Sequence, residues 1–317
     1  METLHSNEVA DTNTAASVPP RQTAPRRTVR QTAVRLLMST AFIYVAVCIG
    51  MWALQDKLVF PGASSQGRST SIVQSSSRHE LIELRTRDNV KTFAVFASAA
   101  NPYPQPGDAA VAKASATTIL FYGNGDFLAN ALGWVSYFRD LGVNVLAVEY
   151  VGYGMADGKP SEAAFYATAE AAYDYALTRA DVDPRQIIPT GISIGCAPAI
   201  DLAVRRPTAG VVCFSPFTSL GAMGREVMRL LPTSLLLSHK FDNQSKLASY
   251  GMPIFITHGR RDRVIPFGMS EDLVRTARGP VTFLPVDDAD HNNLLEAGYD
   301  QITPALRSYF ESIANSR

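Results

Sequence analysis

A mostly parallel β-sheet covered on both faces by helices, an α/β architecture, is the fold class this sequence predicts, and three observations predict it. From about residue 117 onward, short apolar runs alternate with longer amphipathic ones, the pattern of strand–helix–strand units. The apolar runs are near-continuous instead of alternating in polarity, as strands buried on both faces are. At 317 residues, with 46% hydrophobic side chains, the chain is long enough to bury such a core.

The elements follow in order. Residues 1–35 are polar, rich in Thr, Ala and Pro, and include Arg21, Arg26, Arg27, Arg30 and Arg35; they predict a disordered basic arm. Residues 36–54, "LLMSTAFIYVAVCIGMWAL", carry no charge. As a helix they would reach roughly 28 Å, about the hydrocarbon thickness of a bilayer. Trp52 stands near the end of the run, where an interfacial aromatic belongs. A cleaved signal peptide would need a small-x-small site, which "MWALQDK" lacks, and a buried core helix rarely follows a basic arm. The run is therefore expected to be a single-pass membrane anchor. The arginines before it place the N-terminus in the cytoplasm and the rest of the chain on the outer (periplasmic, lumenal or extracellular) side.

Residues 58–317 are expected to form one globular domain. "ELIELRTRDNVKTFAVFASA" (80–99) predicts two strands about an Asp88-Asn89 turn, an antiparallel start to the sheet. A Pro- and Ala-rich connection follows over 99–115. Further strands are expected at 117–122, 143–150, 186–191, 210–215, 253–259 and 281–286. Helices are expected at 127–141, 161–180, 194–205, 219–231, 268–278 and 303–314. The stretch 230–246, "LLPTSLLLSHKFDNQSK", fits neither a plain strand nor a plain loop, and predicts either a small cap over a pocket or an extra packed helix.

Composition narrows the function classes. Lys+Arg 29 against Asp+Glu 29 gives a formal net charge of +0, which offers no electrostatic footprint for nucleic acid. Cys48, Cys196 and Cys213 have neither metal-ligand spacing nor a disulfide framework, and are expected to be small apolar side chains.

The chemistry is carried by three loops. In "IIPTGISIGCAPAI", Ser193 lies between Gly191 and Gly195, after a predicted buried strand and before a predicted helix. A sharp strand-to-helix turn needs small neighbours, and the helix start offers free N–H groups to an anion forming at Ser193. A serine hydroxyl needs a base and an orienter. Asp262 in "THGRRDRVIP" and His291 in "VDDADHNNLL" each follow a predicted strand, so all three can meet at the carboxyl edge of the sheet. His291 would take the Ser193 proton and Asp262 would hold the imidazole, with Asp287, Asp288 and Asp290 as alternative orienters. His258, inside a strand, is expected to be a hydrogen-bonded core residue; His5, His79 and His239 have no partner pattern. The backbone N–H groups of Ile194 and of Asn124, the latter in the tight "YGNGD" turn, are the expected oxyanion donors.

Taken together, "YGNGD", "VEYVGYGMADGKPSE", "TGISIGCAPAI", "SPFTSL", "MPIFITHGRRDRVIP" and "DADHNN" resemble the α/β-hydrolase superfamily. Within it they are similar to the membrane-anchored branch of bud-emergence-suppressor-like and ABHD-type lipid hydrolases and protein depalmitoylases. The resemblance runs from about Leu58 to the C-terminus. It implies a serine hydrolase acting on an acyl ester or thioester, lipid-like or hydrophobic, through an acyl-enzyme and without cofactor or metal. One residue departs from the branch: Tyr122 stands where a histidine usually precedes the Gly-Asn of the oxyanion loop. A serine peptidase, or a hydrolase-like binding protein without turnover, are the alternatives on the same fold.

Overall fold

The computed structural model describes residues 28–100 and 116–315. The predicted arm up to residue 27 and most of the 99–115 connection lie outside the described residues. The chain divides into two compact units between Val47 and Cys48.

Helix α1 (Val29–Val59) contains the 36–54 run and extends past it at both ends. The expected arm therefore ends earlier than residue 35. Residues 29–35 hold no Gly or Pro and several good helix formers, so a helix begun in the apolar run continues back through them. By length and composition α1 is a candidate membrane span, with mean hydropathy 2.0 over its most apolar window. Its last turns belong to the second unit, and Gln55 is buried there.

That second unit holds one eight-stranded sheet: β1 (Glu80–Arg85), β2 (Lys91–Ala97), β3 (Thr117–Phe121), β4 (Asn144–Val148), β5 (Ile187–Ile192), β6 (Val211–Phe214), β7 (Ile254–Gly259) and β8 (Val281–Val286). Their spatial order is β1-β2-β4-β3-β5-β6-β7-β8. β1 and β2 are antiparallel to each other, and β2 is antiparallel to β4; every later pairing is parallel. The β1–β2 turn has Asn89 at φ 60, a left-handed residue of the kind such turns favour. β3 and β4 are buried at every residue, which is why they read as continuous apolar runs. Pro285 falls in β8, the edge strand, where a missing N–H costs least.

Helices α2 (Leu128–Asp140), α3 (Glu162–Ala176), α4 (Cys196–Arg205), α5 (Leu220–Val227), α6 (Thr233–Leu236), α7 (Asn243–Leu247), α8 (Phe267–Thr276), α9 (Leu294–Ala297) and α10 (Tyr299–Asn315) complete the fold. α3 begins where Ser161 accepts a hydrogen bond from the Ala164 N–H, and α5 where Ser219 accepts one from the Ala222 N–H. α5 is shorter than the predicted 219–231; Pro232 cannot extend a helix, and the chain turns there into α6. The 230–246 stretch, expected to be a small cap or an extra packed helix, holds the two short helices α6 and α7. Asp201, buried on α4, pairs with Arg205 at 3.0 Å and with Lys246 of α7 at 2.9 Å, because a carboxylate taken from water needs such partners. Cys196 and Cys213 are buried free thiols and Cys48 is half-buried. Burial pushes the Cys196 thiol up, away from reactivity.

Candidate active site

β5 ends in a turn so tight that Ser193 takes φ 55, left-handed for a residue that has a side chain. The two flanking glycines make room for it. A Cβ on Gly191 would overlap the Cys196 backbone, and one on Gly195 would overlap the Phe121 carbonyl of the neighbouring strand. Ser193 is thereby held at the carboxyl edge of the sheet, with α4 starting immediately behind it.

The structure brings the three predicted side chains together. Ser193 Oγ lies 3.0 Å from His291 Nε2, and His291 Nδ1 lies 2.6 Å from Asp262 Oδ2. A ring nitrogen facing a carboxylate carries its proton, so Nδ1–H donates to Asp262 and Nε2 is left to accept from the Ser193 hydroxyl. Asp262 Oδ1 accepts the Val264 N–H at 2.8 Å and the Ile265 N–H at 2.7 Å. Burial alone would raise the Asp262 carboxyl; hydrogen bonds from His258, His291 and the Ile265 N–H outweigh it and hold the group well below the usual carboxylate range.

None of the alternative acids reaches the imidazole. Asp287 pairs with Arg260 at 2.8 Å and Asp288 with Arg261 at 2.5 Å, both at the surface. Asp290 Oδ1 accepts the backbone N–H groups of His291 (2.6 Å) and Arg263 (3.3 Å), so it ties the His291 loop to the Asp262 loop.

Sequence reasoning missed two sets of supporting residues. His258 is fully buried, as expected of a core histidine, yet it also contacts the site. Its Nδ1 lies 2.6 Å from Ser270 Oγ, while its Nε2 faces both the Ile265 carbonyl (3.0 Å) and Asp262 Oδ2 (3.1 Å). Nε2 therefore carries the proton, donates it to the Ile265 carbonyl, and places that N–H beside Asp262 Oδ2. The signal was the i,i+4 spacing of His258 and Asp262 across a strand end, which strand periodicity does not interpret.

The second set stands beneath the 123–126 turn. Tyr122 is buried, and its hydroxyl donates to Glu149 Oε1; the Leu128 N–H donates to the same oxygen at 3.1 Å. Tyr150 returns the contact, its hydroxyl donating to the Tyr122 carbonyl at 2.8 Å. Tyr153 donates to Asn124 Oδ1 at 3.0 Å, and the Gly62 N–H to the Asn124 carbonyl at 3.2 Å. Burial raises the Tyr122 and Tyr150 pKa values, which keeps both hydroxyls neutral donors, and raises that of Glu149 against the lowering by its Tyr122, Leu128 and Met155 hydrogen bonds. The turn is thus braced by a buried tyrosine–carboxyl network at the position of the departure noted above. A glutamate closing the apolar "VLAVE" strand was the available signal, since a buried carboxyl must have partners.

Asn124, Ser193, Ile194 and His291 all face one cavity of about 670 Å³. Met51 and Leu58 of α1 line one side, and Leu220 and Met223 of α5, Leu231 after it and Leu236 of α6 line another. Its size falls in the range of small-molecule sites, and its walls are chiefly aliphatic. A second cavity of about 480 Å³ adjoins it across Trp134, Ile192 and His291, and reaches Asn130, Ser215 and Glu296. His239, without a pattern in the sequence, pairs with Asp56 at 2.9 Å at the end of α1, and His79 hydrogen-bonds Ser76 and the Gln74 carbonyl nearby; His5 lies outside the described residues.

No family model matches the chain. An uncharacterised protein of Mycobacterium tuberculosis is 29% identical over 261 residues, covering 82% of this chain and 89% of that one. α/β-Hydrolase domain-containing protein 17B of Xenopus laevis is 32% identical over 215 residues, covering 66% of this chain and 72% of that protein. The chain belongs to the α/β-hydrolase domain-containing family. Among solved structures, the Pyrococcus furiosus esterase Pf2001 superposes on this α/β hydrolase with a TM-score of 0.60 at 18% identity, over 76% of this chain and 95% of that one. That likeness concerns the fold, and the strand order above is the same α/β-hydrolase architecture.

Proposed function

We propose that this α/β hydrolase is a serine hydrolase that cleaves a hydrophobic acyl ester or thioester at the surface of a membrane. The observation that supports it most is the unbroken line of hydrogen bonds from Ser193 through His291 to Asp262, opening on an apolar cavity.

In the first half-reaction, Ser193 Oγ attacks the acyl carbonyl as His291 Nε2 takes its proton. The carbonyl π electrons move to oxygen, and the N–H groups of Asn124 and Ile194 receive the oxyanion, each donor being worth about 10²- to 10³-fold in rate. Collapse of the tetrahedral adduct breaks the bond to the leaving alkoxide or thiolate, which takes the proton from His291 and leaves Ser193 acylated. In the second half, water attacks the acyl-serine while His291 removes its proton. Collapse returns that proton to Ser193 Oγ and releases the carboxylic acid. Asp262, held ionised, stabilises the imidazolium in both halves.

The aliphatic lining favours an apolar acyl chain in the larger cavity, and the candidate span α1 favours a substrate that resides in the bilayer. The arginines preceding the 36–54 run favour a cytoplasmic N-terminus, with the hydrolase on the other side. Turnover of p-nitrophenyl esters of graded acyl length tests the acyl site. At about 0.8 kcal/mol per buried methylene, kcat/KM is expected to climb about fourfold per carbon until the cavity is full, then to fall. A profile that is flat in chain length would contradict an apolar acyl site, and no turnover of any ester would contradict the activity.

A further inference from the structure

The cap is apolar on both of its faces. Leu231 and Leu236 point inward and line the large cavity, while their neighbours Leu230 and Leu235 are 87% and 84% exposed. Exposed leucines directly behind cavity-lining ones favour a setting in which the outer face also leaves water. The rim of the cavity continues this outer face. Leu58, Val227 and Val264 each line the cavity and are each at least half exposed, so the mouth itself is ringed by apolar surface. Exposed apolar side chains gathered at a cavity mouth mark an interaction site.

Two features say what covers it. First, the cap is fastened to the end of α1. The Ser238 N–H donates to Gln55 Oε1 at 2.7 Å, and His239 pairs with Asp56 and packs its ring on Phe60 at 4.9 Å between centroids. Gln55 and Asp56 directly follow the uncharged 36–54 run, so the cap sits at the level where a span made by that run would leave the hydrocarbon. Second, exposed basic side chains flank the patch: Lys57 on α1, Arg225 on α5 and Arg229 just beyond it, against Asp56 and Glu226. Basic groups beside exposed leucines match a lipid headgroup layer over acyl chains.

We infer that the outer face of the cap, Val227 to Leu235, docks into the interfacial layer of the bilayer, so that the cavity mouth opens onto lipid and not onto water. This rests on the membrane-hydrolase reading above and deepens it: the acyl chain passes from the bilayer into the cavity between Leu58 and the cap without crossing water.

The test uses the full chain in lipid nanodiscs. Leu235→Trp in a Trp52→Phe background reports the position of the cap by quenching with brominated phospholipids, compared with Trp52→Phe alone. The added emission is expected to be quenched, whereas that of the remaining Trp134 is not. Leu230→Glu with Leu235→Glu is expected to lower turnover of a long-chain ester dispersed in the bilayer by about tenfold, the cost of charging an interfacial face. Turnover of a short soluble ester, and labelling by a fluorophosphonate, should be unchanged and so certify the fold. An unquenched Trp at position 235 overturns the docking, as does undiminished turnover of the bilayer ester in the Glu variant. Chain–chain association through this face without quenching assigns the patch to a second copy and overturns it too. Failure of the parent chain to hydrolyse the soluble ester or to label would instead overturn the underlying serine-hydrolase reading.

Discussion

Asp262 Oδ2 lies between two imidazoles, His291 Nδ1 at 2.6 Å and His258 Nε2 at 3.1 Å. One of these histidines faces Ser193, and the other is buried behind the carboxylate with Ser270 holding its far side. The second imidazole keeps the carboxylate ionised and aimed while it is shielded from water, so His258 is a positioning residue. His258→Ala is expected to lower kcat by about 10- to 100-fold, the worth of one charge-assisted hydrogen bond, with KM for a short ester unchanged. His258→Gln, which restores an N–H donor, should recover part of the loss. Equal losses in both variants, or a change confined to melting temperature, would contradict the role. At this scale Ser193, Asp262 and His291 were legible because each is the polar residue of a loop that directly follows an apolar strand. His258 was not, because a histidine inside a strand looks the same whether it faces the core or a carboxylate.

The 123–126 turn, the proposed oxyanion loop, is a property of two strand ends. β3 delivers Tyr122 and the turn; β4 delivers Glu149 beneath it, with Tyr150 and Tyr153 following. Glu149 is buried and its pKa is raised, first by desolvation. The sign of the linkage follows: a carboxyl whose folded pKa lies above its unfolded one favours folding in its protonated form. Its contribution is complete below the ordinary carboxylate pKa and is lost as pH rises through the raised value. Glu149→Gln is expected to remove that decline, giving a flatter melting temperature from acidic to neutral pH. Gln offers a single acceptor oxygen, which can still take the Tyr122 hydroxyl. A melting profile with the same slope as the parent's would contradict the assignment. The elements themselves were largely legible, since strands buried on both faces and amphipathic helices leave distinct periods. The exceptions are informative: α6, α7 and α9 each span only 4 or 5 residues, too short for a helical period to register.

Over the whole molecule, the second unit brings the end of a candidate membrane helix, helices α5 and α6 and the α/β-hydrolase core around the cavity of about 670 Å³. The fold class was legible from strand–helix alternation and the apolar run from its lack of charge. The closeness of the two was not, because contacts such as Gln55 with Ser238 join residues 183 positions apart and leave no local pattern. The central claim is that this assembly makes Ser193 a nucleophile. Labelling with a fluorophosphonate, read by intact mass and peptide mapping, tests it most directly. The account predicts a single adduct on Ser193 in the folded chain and none in Ser193→Ala. A folded chain that does not react, or a Ser193→Ala variant that reacts equally, would contradict it.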